Sequence, residues 1–289
     1  MAVGGVEPTF ARVGSLELHF VEAGTGPLVL LLHGFPEHWY AWRHQIPALA
    51  EAGFHVVAPD MRGYNLSDKP RGVRSYRVEE LAADVVALVR HFGCAQAHVV
   101  GHDWGGLVAW WTAILHPDVV SRLAILNAPH PAIAWRGLFR AGQLRRSRYV
   151  FWFQLAGLAE RRFAADDFAV LRRRLRRDPV NASAFTDEDI DRYVEAMRQP
   201  GALTAAMNYY RAVFRGALRL SFKSRRRIGA PTLLIWGERD RYLGNHLLEG
   251  TDEWVPNLRI ERIPDASHWV QSDAPARVNE LLLQFLRAS

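Results

Sequence analysis

The stretch from Val99 to Leu107 places an acidic residue where a reactive group would be well exposed. An apolar run ends at Gly101, Asp103 follows two positions later, and an apolar, helix-like segment begins at Gly106. Small residues on both sides permit a sharp turn from strand to helix, which is the geometry of a nucleophile elbow. The usual elbow, G-x-S-x-G, has a central serine, whereas here the centre is a carboxylate. We therefore predict that Asp103 is a nucleophile, the alternative being an aspartate that only caps the following helix.

The segments around this turn alternate between strand-like and helix-like patterns. Short apolar runs bounded by Gly, Pro and Asp predict strands over 16–21, 28–32, 54–58, 97–101, 120–126, 232–236 and 258–263. Apolar residues at helical spacing predict helices over 39–51, 78–92, 106–115 and 274–286. This alternation indicates an α/β fold with a mostly parallel central sheet flanked by helices.

The alternation is interrupted once. Residues 131–222 contain helical stretches but no strand-like run, and strands resume beyond them. We therefore predict an α/β core formed by residues 1–130 and 223–289, with residues 131–222 inserted as a helical cap.

Composition narrows the class of protein. The chain has 289 residues, 49% of them hydrophobic, which is enough for a substantial core. Cys94 is the single cysteine, so an internal disulfide and a cysteine zinc site are excluded. Neither a signal peptide, a membrane span nor a phosphate-binding glycine motif is recognisable. We expect a cytoplasmic protein without cofactor or metal, and the sequence leaves monomer and homodimer open.

The positive charge is concentrated in the predicted cap. The net charge is +6, but residues 131–230 alone contain 21 Lys and Arg against 9 Asp and Glu. A run such as Arg172–Arg177 could attract nucleic acid or an anionic membrane. Since no nucleic-acid motif accompanies the run, we interpret it as a solvated helix face and expect no nucleic-acid partner.

Four motifs together resemble the epoxide hydrolase branch of the α/β-hydrolase superfamily. In chain order they are His33-Gly34-Phe35-Pro36-Glu37, Gly101-His102-Asp103-Trp104-Gly105-Gly106, Gly237-Glu238-Arg239-Asp240 and Ser267-His268-Trp269. The resemblance extends over nearly the whole chain. It implies a hydrolase that adds water to a small apolar epoxide and yields a vicinal diol. An aspartate suits this reaction, because attack on an sp3 carbon leaves an ester that water can still cleave.

The resemblance also implies partners for Asp103. His268 matches the family's water-activating histidine, and imidazole titrates near neutrality. Asp240 matches the acid that orients this histidine, although Glu238 and Asp265 are not excluded by composition. Some relatives have that acid after the preceding strand, where this chain has the neutral Asn127.

Further residues of the site follow from the same resemblance. The backbone N–H groups of Phe35 and Trp104 correspond to the oxyanion hole, and these two side chains and Trp269 to an apolar substrate pocket. Two cap tyrosines would donate to the epoxide oxygen, and we assign them to Tyr149 and Tyr210. Tyr209 competes with its neighbour for this role.

Two other functions compete with the epoxide interpretation. Haloalkane dehalogenases use the same aspartate attack, but many have an asparagine after the His-Gly pair, where this chain has Phe35. Fluoroacetate dehalogenases have arginines at the places of Trp104 and Leu107. A non-catalytic binding protein on the same fold is the third possibility, because a fold alone does not establish activity.

Overall fold

The central sheet extends through the whole core of the protein. A computed structural model describes residues 7–138 and 140–288. Within these ranges the strands are β1 Glu7–Val13, β2 Leu16–Ala23, β3 Leu28–Leu32, β4 His55–Pro59, β5 Ala97–His102, β6 Val120–Leu126, β7 Thr232–Gly237 and β8 Leu258–Ile263. Their order is β1-β2-β4-β3-β5-β6-β7-β8. β2 pairs antiparallel with β1 and with β4, and every pair from β4 to β8 is parallel. The predicted mostly parallel sheet is confirmed.

Helices precede or follow most strands. Within the described residues they are α1 Gln45–Glu51, α2 Val78–His91, α3 Trp104–Leu115, α4 Pro131–Leu138, α5 Ala141–Arg146, α6 Arg148–Trp152, α7 Leu158–Arg177, α8 Asp187–Arg198, α9 Ala202–Lys223, α10 Val270–Asp273 and α11 Pro275–Arg287. The backbone of α7 leaves the helical region at 165–168, so α7 consists of two helices joined by a kink. None of the helices in the described ranges is both long enough and apolar enough to cross a membrane.

The sheet separates two apolar cores, and β3 shows why. All five of its side chains are buried, and successive side chains point to opposite faces of the sheet. Val29 and Leu31 belong to the core that includes side chains of α1 and α11. Leu30 and Leu32 belong to the core that includes side chains of α2 and α3. Burial of a side chain of this size contributes about 1.5–3 kcal/mol, so helices on both faces stabilise the central strands.

The segment between β6 and β7 contains helices α4–α9. This is the part of the chain in which we predicted a helical cap. Residues 1–6, 139 and 289, which belong to the predicted core and cap ranges, lie outside the described residues. The division into core and cap stays a prediction.

Glycines allow α3 to begin very close to the sheet. A Cβ atom on Gly105 would lie 2.0 Å from the carbonyl oxygen of Leu32 and 2.6 Å from that of His33. A Cβ atom on Gly34 would lie 2.5 Å from the Cβ atom of Asp103. The turn after β5 therefore fits against the end of β3 only when both positions lack a side chain.

We predict that Gly105→Ala lowers the free energy of unfolding by about 1–3 kcal/mol, because the added methyl group overlaps backbone atoms that cannot move away cheaply. Gly142→Ala is the matched control, since Gly142 is also helical but nothing would lie within 4 Å of its Cβ. Urea denaturation of both variants measures the difference. Equal stability of the two variants would contradict this account of the turn.

Candidate active site

Asp103 lies at the sharp turn between β5 and α3. Its backbone has φ 49° and ψ −115°, a conformation that residues other than glycine rarely adopt. The surrounding turn fixes it: the Asp103 N–H donates to the carbonyl of Leu126 at 3.2 Å, and the Phe35 N–H donates to Asp103 Oδ1 at 2.8 Å. This geometry presents the carboxylate at the end of the sheet.

His268 faces this carboxylate from the loop after β8. Its Nε2 lies 3.6 Å from Asp103 Oδ2, and its Nδ1 lies 2.7 Å from Asp240 Oδ2. The two nitrogens of one imidazole therefore face two carboxylates that belong to distant parts of the chain. The parallel sheet explains this meeting, since β5, β7 and β8 all end at the same edge.

The Asp240 carboxylate is fixed by several donors. Oδ1 accepts from the N–H groups of Tyr242 and Leu243 at 2.7 and 2.9 Å. Oδ2 accepts from Asn127 Nδ2 at 2.8 Å as well as facing His268. Asp240 is buried, so these bonds compensate for its removal from water.

Asn127 is a positioning residue that the sequence prediction missed. Its Oδ1 accepts from the Gly237 N–H at 2.9 Å, which orients the amide so that Nδ2 points to Asp240. Sequence reasoning treated Asn127 only as the absence of an acid. Its place directly after β6, between two neighbouring parallel strands, was the signal that could have identified it.

The other two acids considered for this role lie elsewhere. Glu238 pairs with Arg262 at 3.2 Å, and Asp265 pairs with Arg239 at 2.5 Å. Both pairs are largely exposed, and surface pairs of this kind contribute little to stability. Of the three acids, the structure brings Asp240 to the histidine.

Charge coupling shifts the pKa of both members of the pair at the elbow. Burial raises the pKa of Asp103, but hydrogen bonding and charge from His268, together with the Phe35 N–H, hold it below its ordinary value. Burial lowers the pKa of His268, but the charges and hydrogen bonds of Asp240 and Asp103 raise it well above its ordinary value. The free site thus favours an imidazolium between two carboxylates.

A second network of buried hydrogen bonds lies beside the site. His102 Nδ1 lies 2.7 Å from Glu37 Oε2, and His102 Nε2 lies 2.8 Å from the carbonyl oxygen of His268. Glu37 also accepts from the Gly34 N–H at 3.1 Å and from Gln271 Nε2 at 3.1 Å. Burial raises the pKa of Glu37, but His102 and the Gly34 N–H lower it below its ordinary value. This network links the loop after β3 to the loop that positions the histidine.

The backbone donors predicted for an oxyanion hole both lie beside Asp103. The Phe35 N–H already donates to Asp103 Oδ1. The Trp104 N–H is the first of α3, where N–H groups have no partner within the helix. A negative oxygen on the Asp103 carboxyl carbon would therefore meet preorganised donors.

Tyr149 and Tyr210 line the same cavity as Asp103 and His268. Their ring centroids are 5.8 Å apart, with a 77° angle between the planes. The adjacent Tyr209 is fully buried, and its hydroxyl donates to the carbonyl of Arg62 at 2.7 Å. Of the neighbouring pair on α9, Tyr210 therefore presents its ring to the cavity.

Burial raises the pKa of Tyr149 and of Tyr210, and the negative charge of Asp103 raises both further. Both phenols are thus protonated in the free protein over the physiological pH range. Each phenol therefore retains a proton that it can donate in a hydrogen bond.

The cavity is mostly aromatic and small. Its walls are formed by Phe35, Pro36, Asp103, Tyr149, Leu171, Arg174, Tyr210, Tyr242, His268 and Trp269. The Trp104 ring packs against that of Tyr210, with 4.8 Å between the ring centroids. Sequence reasoning did not anticipate Leu171, Arg174 or Tyr242. The free volume is about 20 Å³, room for about one water molecule, so a larger ligand enters only when wall residues move.

Within residues 7–138 and 140–288, no group of three or more His, Cys, Asp and Glu side chains is placed to hold a metal ion.

The family of the protein follows from the match of residues 27–275 to the model of the alpha/beta hydrolase fold. The chain therefore belongs to the α/β-hydrolase family. AB hydrolase superfamily protein YfhM of Bacillus subtilis is 41% identical over 288 residues, which cover 98% of this chain and 99% of that protein. Epoxide hydrolase 4 of Mus musculus is 37% identical over 280 residues, which cover 94% of this chain and 77% of that protein.

Solved structures point to the same branch of the family. A mutant of an epoxide hydrolase from Bacillus megaterium has a TM-score of 0.88 and 32% identity, with 97% of this chain and 100% of that chain covered. Epoxide Hydrolase A from Mycobacterium thermoresistibile has a TM-score of 0.86 and 32% identity, with 98% of each chain covered. The resemblance to epoxide hydrolases inferred from the motifs is confirmed.

We predict that Asp103→Asn lowers the pKa of His268, because one of the two carboxylates that stabilise the imidazolium is removed while Asp240 remains. Titration of the His268 ring by NMR measures this pKa in both proteins. Asp265→Asn is the control, since this exposed carboxylate pairs with Arg239 and should leave the titration unchanged. An unchanged or higher pKa in Asp103→Asn would contradict the coupling.

Proposed function

We propose that this protein hydrolyses epoxides to vicinal diols through a covalent ester on Asp103. The observation that supports this reaction most strongly is a carboxylate, rather than a hydroxyl, 3.6 Å from His268 in a cavity shared with two phenols. The names of the relatives and of the similar solved structures also support it. A serine at this elbow would leave an ether that water does not cleave, whereas an aspartate leaves an ester.

In the first step, an Asp103 oxygen attacks a ring carbon of the epoxide. A carbon–oxygen bond forms, the ring carbon–oxygen bond breaks, and its electron pair goes to the epoxide oxygen. Tyr149 and Tyr210 donate hydrogen bonds to this oxygen, which ends as a hydroxyl group. The proton that the oxygen takes up is balanced by one that His268 gives up, so that the ester forms beside a neutral imidazole.

Ester formation itself makes proton transfer from the two phenols and from His268 easier. The Asp103 charge raises the pKa of both phenols and of His268. Esterification removes that charge, so the phenols become stronger acids as the alkoxide develops, and the imidazolium loses its proton more readily. Because Asp103 loses its charge at the end of the first step, His268 becomes the neutral base that the second step requires.

In the second step, neutral His268 takes a proton from water, and the hydroxide adds to the ester carbonyl carbon. The resulting oxyanion accepts hydrogen bonds from the Phe35 and Trp104 N–H groups. Its collapse releases the diol, whose leaving oxygen takes the proton back from His268. The Asp103 carboxyl group then gives its proton to His268, which restores the carboxylate and the imidazolium of the free site. Asp240, fixed by Asn127 and by two backbone N–H groups, stabilises the imidazolium each time it forms.

We further propose that α4–α9 act as the cap that covers this site, since α6 and α9 contain the two tyrosines and α7 contributes Leu171 and Arg174 to the cavity. The lining favours a small apolar epoxide. Because the cavity has room for about one water molecule, substrate entry requires displacement of cap side chains.

A dehalogenase would need donors for halide instead of alkoxide. Many haloalkane dehalogenases have an asparagine at the place of Phe35, whose side chain has no polar group to donate to a halide. Two phenols, those of Tyr149 and Tyr210, line the cavity instead. This lining favours stabilisation of a developing alkoxide. It also argues against a binding protein without activity, because His268 lies 3.6 Å from the Asp103 carboxylate and 2.7 Å from that of Asp240.

Turnover of epoxides tests the proposed function directly. We expect the purified protein to convert a panel of terminal, internal and aryl epoxides to diols, and to release chloride from matched chloroalkanes at least about a hundredfold more slowly. Mass spectrometry of diols and a chloride assay supply the readouts. Faster turnover of chloroalkanes than of styrene oxide would replace the proposal with dehalogenation.

We predict that Tyr210→Phe slows the alkylation of Asp103 by about 10²-fold, because a donor to the developing alkoxide is lost. Rapid-quench measurement of ester formation isolates this step. Tyr209→Phe is the matched control: its hydroxyl is bonded to the Arg62 carbonyl, so we expect lower stability but little change in alkylation. If Tyr209→Phe slowed alkylation as much as Tyr210→Phe, the assignment of Tyr210 would be wrong.

A further inference from the structure

The second half of α9 exposes a row of large apolar side chains. Phe214, Leu218 and Phe222 follow one another at four-residue spacing, which places them on one face of the helix. They are 49%, 76% and 72% exposed. The first half of the same helix is buried against the rest of the protein, so the exposed row is not the packing face of α9.

A neighbouring segment extends this apolar area. The ring of Phe151 lies 6.0 Å from that of Phe214, and Phe151 is 44% exposed. Trp152, Leu155 and Leu158, which lie one, four and seven positions after Phe151, are also exposed. Large exposed apolar patches usually mark a site of interaction with a protein, a membrane or an apolar ligand.

Arginines surround the row. A cleft of about 670 Å³ lies between Phe214–Arg219 and the segment Val73–Arg77, and its walls include Arg74, Arg77, Arg215 and Arg219. Arg225, Arg226 and Arg227 are exposed immediately after α9. We call Phe151, the three side chains of the row and these arginines the α9 surface.

Few acidic groups neutralise this charge. Arg219 and Lys223 pair with Glu79 at 3.1 and 3.0 Å. In the part of the chain that the structure describes, no carboxylate lies within 4.0 Å of the guanidinium nitrogens of Arg74, Arg77 or Arg215. By contrast, Arg172 and Arg176 in the run noted from the sequence pair with Asp167, Asp191 and Asp187. Arg74, Arg77 and Arg215 thus contribute positive charge to the α9 surface that no carboxylate of the described residues pairs with.

An exposed apolar row flanked by arginines is complementary to a bilayer that contains anionic lipids. Phenylalanine and leucine side chains enter the region between headgroups and acyl chains, while guanidinium groups bind lipid phosphates. A second copy of the chain fits less well, because a two-fold contact would bring the arginines of both copies together. A nucleic acid would use the arginines but would leave Leu218 in water.

We propose that the α9 surface docks the protein on bilayers containing anionic phospholipid, with Phe214, Leu218 and Phe222 inserted below the headgroups. Arg74, Arg77 and Arg215 bind phosphate groups at the rim of the row. This docking is peripheral and reversible, and it is independent of the reaction proposed above.

The test is sedimentation of the full-length protein with vesicles of phosphatidylcholine, with and without phosphatidylglycerol. We expect binding to the mixed vesicles that weakens with salt, and at least about tenfold less binding to pure phosphatidylcholine. The triple variant F214S/L218S/F222S should lose binding to mixed vesicles by about tenfold or more, and R74Q/R77Q/R215Q by a similar factor.

Ile260→Ser is the matched control, because Ile260 is an exposed apolar residue on β8, at the edge of the sheet. It should bind vesicles like the unmodified chain. Thermal unfolding and epoxide turnover of each variant show whether it is folded.

Four results would overturn the proposal. The first is equal binding to both kinds of vesicle, and the second is undiminished binding by a folded triple serine variant. The third is self-association without vesicles that the triple variant abolishes, which would identify a second copy of the chain as the occupant. Salt-sensitive binding to DNA that survives the serine substitutions, without vesicle binding, would point to nucleic acid and would equally reject the bilayer.

Discussion

The arrangement Asp103–His268–Asp240 places one imidazole between two carboxylates in a site largely withdrawn from water, and the rest of the core serves to keep it there. Buried charges are costly unless they are paired and hydrogen-bonded. Here Asn127 and the N–H groups after Asp240 bind one carboxylate, while Phe35 N–H binds the other. The positions of these donors are fixed by the ends of parallel strands. The sheet is thus the reason that three residues distant in the sequence meet in one site.

The same arrangement explains why the site changes its properties during the proposed reaction. While Asp103 is charged, it raises the pKa of His268 and of the two cavity phenols. Once Asp103 is esterified, this influence ends, and His268 is left with Asp240 alone. In the proposed reaction, a single covalent step would therefore convert an ion-paired imidazolium into a base beside the ester.

The sequence predicted those parts of the structure that depend on local pattern. Continuous apolar runs such as β3, and turns marked by Gly or Pro, gave the parallel strands within one or two residues. β1 was missed because it is an antiparallel edge strand, half polar, and contains Pro8, so its pairing with β2 depends on the rest of the sheet. The helix expected over 39–51 is a 3-10 turn, Trp39–Trp42, followed by the shorter α1.

The sequence could not predict which way individual side chains of a helix or strand point. Tyr209 and Tyr210 are adjacent and chemically identical, and only the packing of α9 determines which hydroxyl meets the Arg62 carbonyl. The role of Asn127 depends equally on two neighbouring strands, since an amide acquires its orientation from groups more than a hundred residues away. Contacts of this kind cannot be predicted from the local sequence pattern.

In the proposed mechanism, the Asp103 carboxylate rather than water attacks the epoxide. A single turnover in H₂¹⁸O with protein in excess over styrene oxide tests it most directly, by mass spectrometry of the diol and of the peptide that contains Asp103. We expect unlabelled diol and ¹⁸O in the Asp103 carboxylate, because water enters at the ester carbonyl. Labelled diol with an unlabelled Asp103 peptide would contradict it.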